Sequence, residues 1–429
     1  MGLGLGISVD WASLVPYYAK VASAFAARVK ADGGTVENTA CLKKDLKALN
    51  PIEPTGYLLT DYPGAAAAYS LRLINKTYAG SAIRVRRATD NAEQNIGFAS
   101  KQLDTETLES FVNSGEAFTD PDITSSYNWT KGANTTYNAA TEALDLLNEN
   151  GLTARQGVSV SGHTYTITIV LDSVTSGGIK IYAGGTQSAV ISTAGTHTLE
   201  ITASNSNNIL GINPSGAATC SISRFSAIDT TADAFVTTWY DQSGNGNNST
   251  QTTAASKPQI VSSGTIYMLN SKPAISGNGL KQLDISTELN IPNDFFIATT
   301  LQYDAHTMIL GSNTDTINFL FSASLTQYRA RIAGFTGYFS QNALALNTQY
   351  NSNVFKVGNS VDHSRNGELN GVQTGFTGRT FKINTLMNGY TGTSYALSGY
   401  AQEIIIWESD ESTNRTGIET NINYFYSIY

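Results

Sequence analysis

The chain has 429 residues, enough for two or three units that each bury a core. Charged residues make up 14% of it, against roughly 25% in typical soluble domains, so Thr, Ser, Asn, Gln and Gly must cover much of the surface. A net charge of −8 argues against sequence-independent binding to nucleic acid, which requires clustered Lys and Arg. No apolar run approaches the roughly 20 residues that span a bilayer. We therefore expect neither a nucleic-acid partner nor a membrane span.

The two cysteines, Cys41 and Cys220, fall in regions that we assign to different units. They provide neither a disulfide framework nor a metal-ligand spacing, and we expect both to be free thiols. The stretch from Met1 to Ile7 lacks the basic and apolar regions of a signal peptide. A location outside the cell is therefore expected to depend on assembly or lysis rather than on the general secretory route.

The N-terminal segment, residues 1–55, is predicted to be helical. Apolar residues at spacings of three and four predict one helix over Leu14–Lys30, and a second, shorter helix is predicted over Val36–Leu49. Pro51 and Pro54 then break the chain. Because so small a segment buries little apolar surface alone, we interpret it as a docking element for the main domain or an assembly partner.

After Gly56 the pattern changes to short strands and polar turns. Residues 118–229 have a strand rhythm of their own, with turns predicted at Gly177-Gly178 and Gly184-Gly185, which is typical of a β-sandwich. The basic run Arg84–Arg87 alternates with an apolar residue and predicts a strand with one polar face. The strands predicted in 118–229 are Thr164–Val170, Ile179–Tyr182, Thr198–Thr202 and Thr219–Ser223.

Further strands are predicted from Phe235 onwards, followed by a terminal helix. Asn366-Gly367 and Asn370-Gly371 are hairpin-turn signals, because type I′ turns need positive φ at both central positions. The tail from Ser412 to Tyr429 places Ile418, Ile422 and Phe425 on one helical face. The predicted strands are Phe295–Leu301, Met308–Leu310, Ile317–Phe321, Tyr328–Ile332 and Glu403–Trp407.

Two regions far apart in the sequence carry a family resemblance. The first comprises the segments Tyr69-Ser-Leu-Arg72 and Ile83–Asp90. The second is the segment Thr237–Asn247, which contains Tyr240-Asp-Gln-Ser-Gly-Asn-Gly246. Together they resemble the catalytic domain of the α-L-arabinofuranosidase B family. The resemblance implies a mainly β fold, a jelly-roll sandwich of the concanavalin/laminin-G type, formed by residues 56–117 and 230–429. Residues 118–229 would then be an inserted second β-sandwich, whose order of elements is similar to a family 4/9-type carbohydrate-binding module.

The carboxylates of that family are not found here. A retaining glycosidase needs two carboxyl groups roughly 5 Å apart, and the family's nucleophile segment has no match between Pro273 and Tyr350. The C-terminal segment Met387–Ser394 contains no Asp or Glu. We therefore predict no catalytic residues. The carboxylates left unassigned are Asp294, Asp304, Asp315, Glu368 and Glu403, and the histidines His163, His197, His306 and His363 show no metal spacing.

The string from Tyr240 to Gly246 is predicted to form a tight structural turn. Asp241 would cap backbone amides, and Gly244 and Gly246, beside Asn245, would adopt positive φ. The alternative is a calcium site made of Asp241 and neighbouring carbonyls, because hard cations take oxygen ligands. We favour the structural turn, with no metal and no cofactor.

Aromatic residues are the remaining binding candidates. The chain has 22 Tyr, 16 Phe and 4 Trp, so some must face solvent, where Tyr or Trp beside Asn and Asp is typical of a sugar-binding surface. The alternative for each is a core or interface position. The candidates for glycan binding are Trp129, Tyr137, Tyr182, Tyr328, Tyr338, Tyr390 and Tyr395.

A helical N-terminal segment with the string Ala27–Gly34, followed by this jelly roll, resembles virion proteins of phages that infect Bacteroidetes-type hosts. We therefore expect a non-catalytic spike or fibre protein on the virion surface that binds host-surface glycans. Its N-terminal segment would contact other virion proteins, and copies of the chain would form a homo-oligomer. The alternatives are a glycoside hydrolase with relocated carboxylates and a structural capsid or vertex protein.

Overall fold

The structure of the protein is a computed structural model. It describes residues 56–278, 281–304, 307–313, 317–324, 327–340, 345–388 and 396–429, and only the main chain of residues 321–324, 327 and 338–340. The predicted N-terminal segment, residues 1–55, lies outside the described residues, as do Cys41, His306, Asp315, Tyr390 and Tyr395.

Short strands dominate the described chain, as the polar turns of the sequence predict. The chain begins with helix α1 (Leu58–Asp61), strands β1 (Ala65–Ser70), β2 (Ile83–Arg87), β3 (Glu93–Ile96), β4 (Phe98–Ala99) and β5 (Gln102–Leu103), and helix α2 (Thr105–Val112). Next come β6 (Gly115–Glu116), β7 (Thr135–Asn138), β8 (Ala143–Glu149), β9 (Thr153–Gly157), β10 (Thr164–Ala183), β11 (Thr186–Gln187), β12 (Gly195–Thr202) and β13 (Ile209–Asp229). The rest comprises β14 (Ala234–Trp239), β15 (Ser249–Thr250), β16 (Gln259–Ser262), β17 (Thr265–Ile266), β18 (Met268–Leu269), β19 (Lys272–Pro273), β20 (Ile275–Ser276), β21 (Leu283–Ile291), β22 (Phe295–Tyr303), β23 (Thr307–Gly311), β24 (Phe319–Ser324), β25 (Gln327–Ile332), β26 (Phe335–Ser340), β27 (Thr348–Val357), β28 (Ser360–Arg365), β29 (Glu368–Thr374), β30 (Phe381–Leu386), β31 (Gly399–Trp407) and helix α3 (Arg415–Tyr426).

Two antiparallel sheets form a sandwich around one large core. The first sheet has the order β29-β28-β27-β22-β31-β1. The second begins β3-β2-β14, continues through β15 to β21, and then follows β30, β23, β24, β25 and β26. Strand β20 pairs with β31 and with β16, and so joins the two sheets at one edge. The expected mainly β sandwich is therefore confirmed.

The central strands of the first sheet are buried on both faces. In β31, Ile404 and Ile406 pack into the core between the sheets, whereas Ile405 and Trp407 pack into a second core on the opposite face. Helix α3 covers this second core. A strand that is buried on both faces needs no alternation, which explains the continuous apolar run in β31. Helix α3 contributes Ile418, Ile422 and Tyr426 to the second core.

Residues 115–229 form a separate sheet with its own apolar core. Its strand order is β11-β10-β13-β8-β7, with β12 paired to β10, and β6 and β9 paired to β13. The chain enters and leaves this sheet at one place, because Gly115 in β6 pairs with Asp229 in β13. We call it the 115–229 sheet. The strands β1–β3 that precede it and β14 that follows it all belong to the sandwich.

The glycine signals of the sequence had different outcomes. Asn366 and Gly367 have φ of 50° and 82° and connect β28 to β29, so this predicted hairpin turn is confirmed. The Asn370-Gly371 turn is wrong: both residues lie inside β29, at a register shift against β28. The Gly177-Gly178 turn is also wrong, because β10 continues past it beside β13. The positive φ of Gly177 produces a bulge in β10 rather than a turn, because β13 pairs with β10 on both sides of it.

The basic run Arg84–Arg87 lies in strand β2, as predicted. Arg84 pairs with Glu93 on the neighbouring strand, and Arg87 pairs with Asp90. The run is thus engaged in pairs along a strand. Across the described ranges, no helix has the length and apolar character needed to cross a bilayer.

Candidate functional site

The turn after β14 is held by Asp241, which is 3% exposed. Its Oδ1 accepts from the main-chain N–H groups of Ala68 and Ser243, both at 2.8 Å. Its Oδ2 accepts from the Ser243 hydroxyl at 2.7 Å and from the Asn247 N–H at 3.0 Å. Both oxygens are therefore occupied by donors of the protein, which favours the structural turn over the calcium alternative for this residue.

The rest of this turn fixes strand β1. Gly244 and Gly246 have φ of 95° and 76°, values that favour glycine. The Asn245 amide donates to the carbonyl of Ala65 at 2.9 Å, and the Tyr69 hydroxyl donates to the carbonyl of Asn247 at 2.5 Å. The two groups of strings that carry the family resemblance thus meet at one corner of the sandwich. Among the described residues, no group of three or more His, Cys, Asp and Glu could hold a metal ion.

The predicted aromatic residues do not form one surface. Trp129 is 3% exposed and stacks on Phe225 with 5.7 Å between ring centroids, so it is a core residue of the 115–229 sheet. Tyr328 is 2% exposed and stacks on His363 at 4.3 Å. Neither buried ring presents a face to a sugar, which corrects both predictions.

The other aromatic candidates are less buried or less fully described. Tyr137 is half-buried, and its hydroxyl donates to the Thr124 carbonyl at 2.8 Å. Tyr182 is also half-buried, and its hydroxyl accepts from the Asn207 amide at 3.0 Å. Only the main chain of Tyr338 is described, and Tyr390 and Tyr395 lie outside the described residues.

The carboxylates that the sequence left unassigned lie in different places. Glu403 is fully buried and accepts two hydrogen bonds from Arg72, at 2.8 and 2.9 Å. Asp294 lies 3.5 Å from Lys356, and Asp304 accepts from the amide of Gln302. Glu368 is exposed on β29. The structure does not bring these groups together.

The described histidines and cysteine have separate environments. Burial lowers the pKa of His363 to about 3, and its Nε2 lies 2.9 Å from the Ser352 hydroxyl. His163 contacts Asp229, and His197 contacts the Thr193 carbonyl. Cys220 is a free, buried thiol whose pKa burial raises to about 11, so it is protonated at neutral pH. No shared site results from these groups.

A different pair of carboxylates lies on the outer face of the second sheet. In β21, Leu283, Ile285 and Leu289 point into the core between the sheets. Asp284 and Glu288 each stand next to one of these core residues, and because adjacent side chains point to opposite faces, both carboxylates lie on the face away from the core. Both side chains are partly exposed.

Strand β21 also carries a bulge at this point. Asp284 pairs with Thr385 and Leu289 pairs with Ile383, so residues 285–288 stand opposite Asn384 alone. A bulge redirects the side chains of its strand and often lies beside a functional site. Here the bulge contains Glu288.

Consecutive residues after β23 contact both carboxylates. The Ser312 hydroxyl donates to Glu288 Oε2 at 2.9 Å, and the Asn313 amide donates to Asp284 Oδ1 at 3.0 Å. The main-chain N–H of Asn313 donates to Asn384 Oδ1 at 2.7 Å. The position of Asn313 is therefore fixed from two sides.

Amides and one lysine complete this group. The Gln282 amide donates to Asp284 at 3.0 Å and accepts from Asn388 at 2.9 Å. Lys382 Nζ lies 3.5 Å from Glu288, and these side chains are 42% and 22% exposed. We call these residues the bulge patch: Gln282, Asp284, Glu288, Ser312, Asn313, Lys382, Asn384 and Asn388.

The bulge patch is suited to bind a polar, hydroxyl-rich ligand. Carboxylates accept hydrogen bonds from hydroxyl groups, and amides both donate and accept. Asn384 and Asn388 are 9% and 4% exposed and hydrogen-bond to Asn313 and Gln282, respectively. These buried amides fix the more exposed residues, so the patch is preorganised. Asp284 and Glu288 were not among the site residues predicted from the sequence. The signal that could have found them is the pattern from Leu283 to Ile291, in which every even position is polar and every odd position except Thr287 is apolar.

No protein-family model matches the chain, and a search of curated proteins gives no match. Among solved structures the chain is similar to an arabinofuranosidase complexed with arabinofuranosyl-α-1,2-xylobiose (11% identity, TM-score 0.40) and to a GH54 α-L-arabinofuranosidase soaked with a cyclic sulfate inhibitor (11%, 0.44). Both comparisons cover 83% of this chain, which spans 62% of the length of those proteins.

A further similar structure is the carbohydrate-binding module CBM66 from Bacillus subtilis. It is 9% identical with a TM-score of 0.22, and the comparison covers 33% of this chain and 88% of the module. At these identities, what the neighbours bind or cleave is a property of those proteins alone.

Proposed function

We propose that the protein binds glycans through the bulge patch. The observation that carries the proposal is the pair Asp284 and Glu288, which are partly exposed on one sheet face and fixed by the consecutive residues Ser312 and Asn313. Glycans present many hydroxyl groups, which such carboxylates and the neighbouring amides can bind in place of water.

More specifically, we propose that the protein is a spike or fibre component on the surface of a phage virion and uses this site there. It rests on the resemblance of Ala27–Gly34 and of the jelly-roll strings to phage virion proteins. In this proposal the N-terminal segment contacts other virion proteins, copies of the chain associate, and the ligands are glycans of the host surface. Mass spectrometry of purified particles tests it, and a protein absent from intact particles would contradict it.

Glycan binding is tested on an array with the full-length protein and with Asp284→Asn and Glu288→Gln. These substitutions keep the side-chain shape and remove the charge, so we expect each to weaken binding about tenfold or more. Glu200→Gln, an exposed position in the 115–229 sheet, is the matched control. Wild-type affinity in both patch variants would refute the patch as the binding site.

A second candidate function is glycoside hydrolysis. The pair of carboxylates on one face favours it, because hydrolysis with retention requires two such groups. Release of sugar from arabinofuranosides or host polysaccharide, lost in Asp284→Asn and Glu288→Gln, would favour the enzyme over the binding protein. If the protein neither binds glycans on the array nor releases sugar in the hydrolysis assay, the result would favour a structural vertex protein.

A further inference from the structure

The 115–229 sheet presents one tyrosine almost completely to solvent. Tyr127 is 94% exposed, in the chain between β6 and β7. Trp129, two residues later, is buried between Phe118 and Phe225. The chain on one side of the exposed ring is therefore anchored in an aromatic core.

The main chain that precedes Tyr127 is fixed by Asp120. This carboxylate is 6% exposed and accepts from the N–H and hydroxyl of Thr124, both at 2.9 Å, and from the N–H of Ser125 at 3.0 Å. Burial acts to raise the pKa of Asp120, but the hydrogen bonds outweigh it and hold the pKa below its usual value. The Ser125 hydroxyl in turn accepts from the N–H of Tyr127 at 3.2 Å.

Two side chains brace the same segment. Lys131 Nζ donates to the carbonyl of Ser126 at 2.5 Å, and the Tyr137 hydroxyl donates to the carbonyl of Thr124 at 2.8 Å. The main chain on both sides of Tyr127 is thus held before any ligand arrives. A ring presented in this way loses little conformational freedom on binding, because few torsions remain to be fixed.

The residues on either side of Tyr127 in the chain, Ser126 and Asn128, are polar and uncharged. Asn128 and Thr130, which follow Tyr127 in the chain, are exposed, and the Asn128 side chain also hydrogen-bonds to Asp120. Asp122 is paired with Arg224, and the Lys131 ammonium donates to main-chain carbonyls. An exposed ring that is followed in the chain by exposed amide and hydroxyl residues fits a neutral sugar, whose C–H face packs on the ring while its hydroxyls meet polar groups.

We infer that Tyr127 is a stacking platform for a neutral sugar ring and forms a second glycan-binding site in addition to the bulge patch. The inference rests on the proposed function, since it assigns the same class of ligand to another surface. Two sites on one chain would strengthen binding to a polysaccharide that reaches both.

The test compares full-length Tyr127→Ala and Tyr127→Phe with the wild type on a neutral-glycan array. Loss of the ring is expected to weaken binding about tenfold, whereas Phe, which keeps the ring, is expected to bind within about twofold of the wild type. The matched control is Tyr424→Ala, which removes a 62% exposed tyrosine from α3. It should leave binding unchanged.

The outcomes separate this inference from the proposed function. Wild-type binding in Tyr127→Ala, together with loss in Asp284→Asn, overturns the platform alone. Loss in Tyr127→Ala with full binding in Asp284→Asn and Glu288→Gln supports the platform and refutes the bulge patch. A wild-type protein that binds no glycan overturns both. A Tyr127→Ala variant that binds glycans but sediments as a smaller species shows a protein contact and also overturns the platform.

Discussion

At the scale of single residues, the aromatic side chains show what a sequence can and cannot reveal. Trp129 and Tyr127 lie two residues apart in the same polar stretch, yet one is 3% and the other 94% exposed. Sequence composition predicts that some aromatic rings face solvent. Which ring does so depends on where Phe118 and Phe225 lie in the fold. Phe225 is about 100 residues further along the chain, so a local pattern cannot place it. The binding candidate could therefore be named by type but not by position.

The same scale gives a stability prediction for Asp241. Asp241→Asn places an amide NH2 group where the carboxylate now accepts from Ser243 and Asn247. Because buried donors then lose their acceptor, we expect the free energy of unfolding to fall by about 1–3 kcal/mol. Urea denaturation measures this. Asp410→Asn, at an exposed position, is the control and should change stability by less than about 0.5 kcal/mol. Equal stability of both variants would contradict a structural role for the turn.

His163 gives a prediction of pH dependence. Its Nδ1 lies 2.9 Å from Asp229 Oδ2, and this hydrogen bond raises the pKa of His163 against the opposing effect of burial. The charges of Asp229 and Asp233 act in the same direction as the hydrogen bond. A raised pKa in the folded state means that folding favours the protonated ring. The stabilisation is therefore complete below the unfolded pKa of about 6.5 and is lost as the pH rises through the folded pKa.

We accordingly expect the free energy of unfolding to decline as the pH rises above about 6.5. His163→Asn should remove this decline, whereas His197→Asn should retain it, because that substitution leaves the contact between His163 and Asp229 in place. Urea denaturation at several pH values between about 6 and about 8.5 measures the slope. Identical slopes in the wild type and His163→Asn would exclude the contact with Asp229 as the cause.

At the scale of elements, strand identity follows from local pattern, whereas irregularities depend on the partner strand. The apolar run in β31 and the Asn366-Gly367 turn were predictable because each is encoded in adjacent residues. Asn370-Gly371 carries the same turn signal but lies within β29, since β28 pairs on both sides of it. The bulge in β21 is likewise fixed by β30. Alternation could place Asp284 and Glu288 on one face, but it could not predict the bulge that contains Glu288.

Helix α3 gives the prediction at this scale. Ile422 is fully buried in the core that α3 covers, with Trp407 and Phe296 of the first sheet. Ile422→Ala would leave a cavity there, and we expect it to lower the free energy of unfolding by about 2–4 kcal/mol. Tyr424→Ala, on the exposed side of the same helix, should change it by less than about 0.5 kcal/mol. Similar urea midpoints for the two variants would show that α3 does not stabilise the sandwich.

At the scale of the whole molecule, the sandwich is built from two parts of the chain separated by the 115–229 sheet. The Asp241 turn joins the parts directly, because it binds β1 after an interval of more than 170 residues. The Arg72–Glu403 pair makes a second, longer-range link. We expect contacts of this kind to hold the sandwich together without the intervening sheet, provided that Gly115 and Asp229, where the chain enters and leaves that sheet, stay together.

These two ends are paired residues of adjacent strands. Excision of residues 117–227, with a short Gly-Ser linker in their place, is therefore expected to leave a folded sandwich, because the linker has only a short distance to cross. Cooperative urea unfolding and a β-rich circular dichroism spectrum would support the prediction that residues 118–229 are an inserted unit. The link from Thr89 to Asp229, at 3.0 Å, lies outside the excised range and remains. An unfolded or aggregated product would instead show that the two sheets stabilise each other.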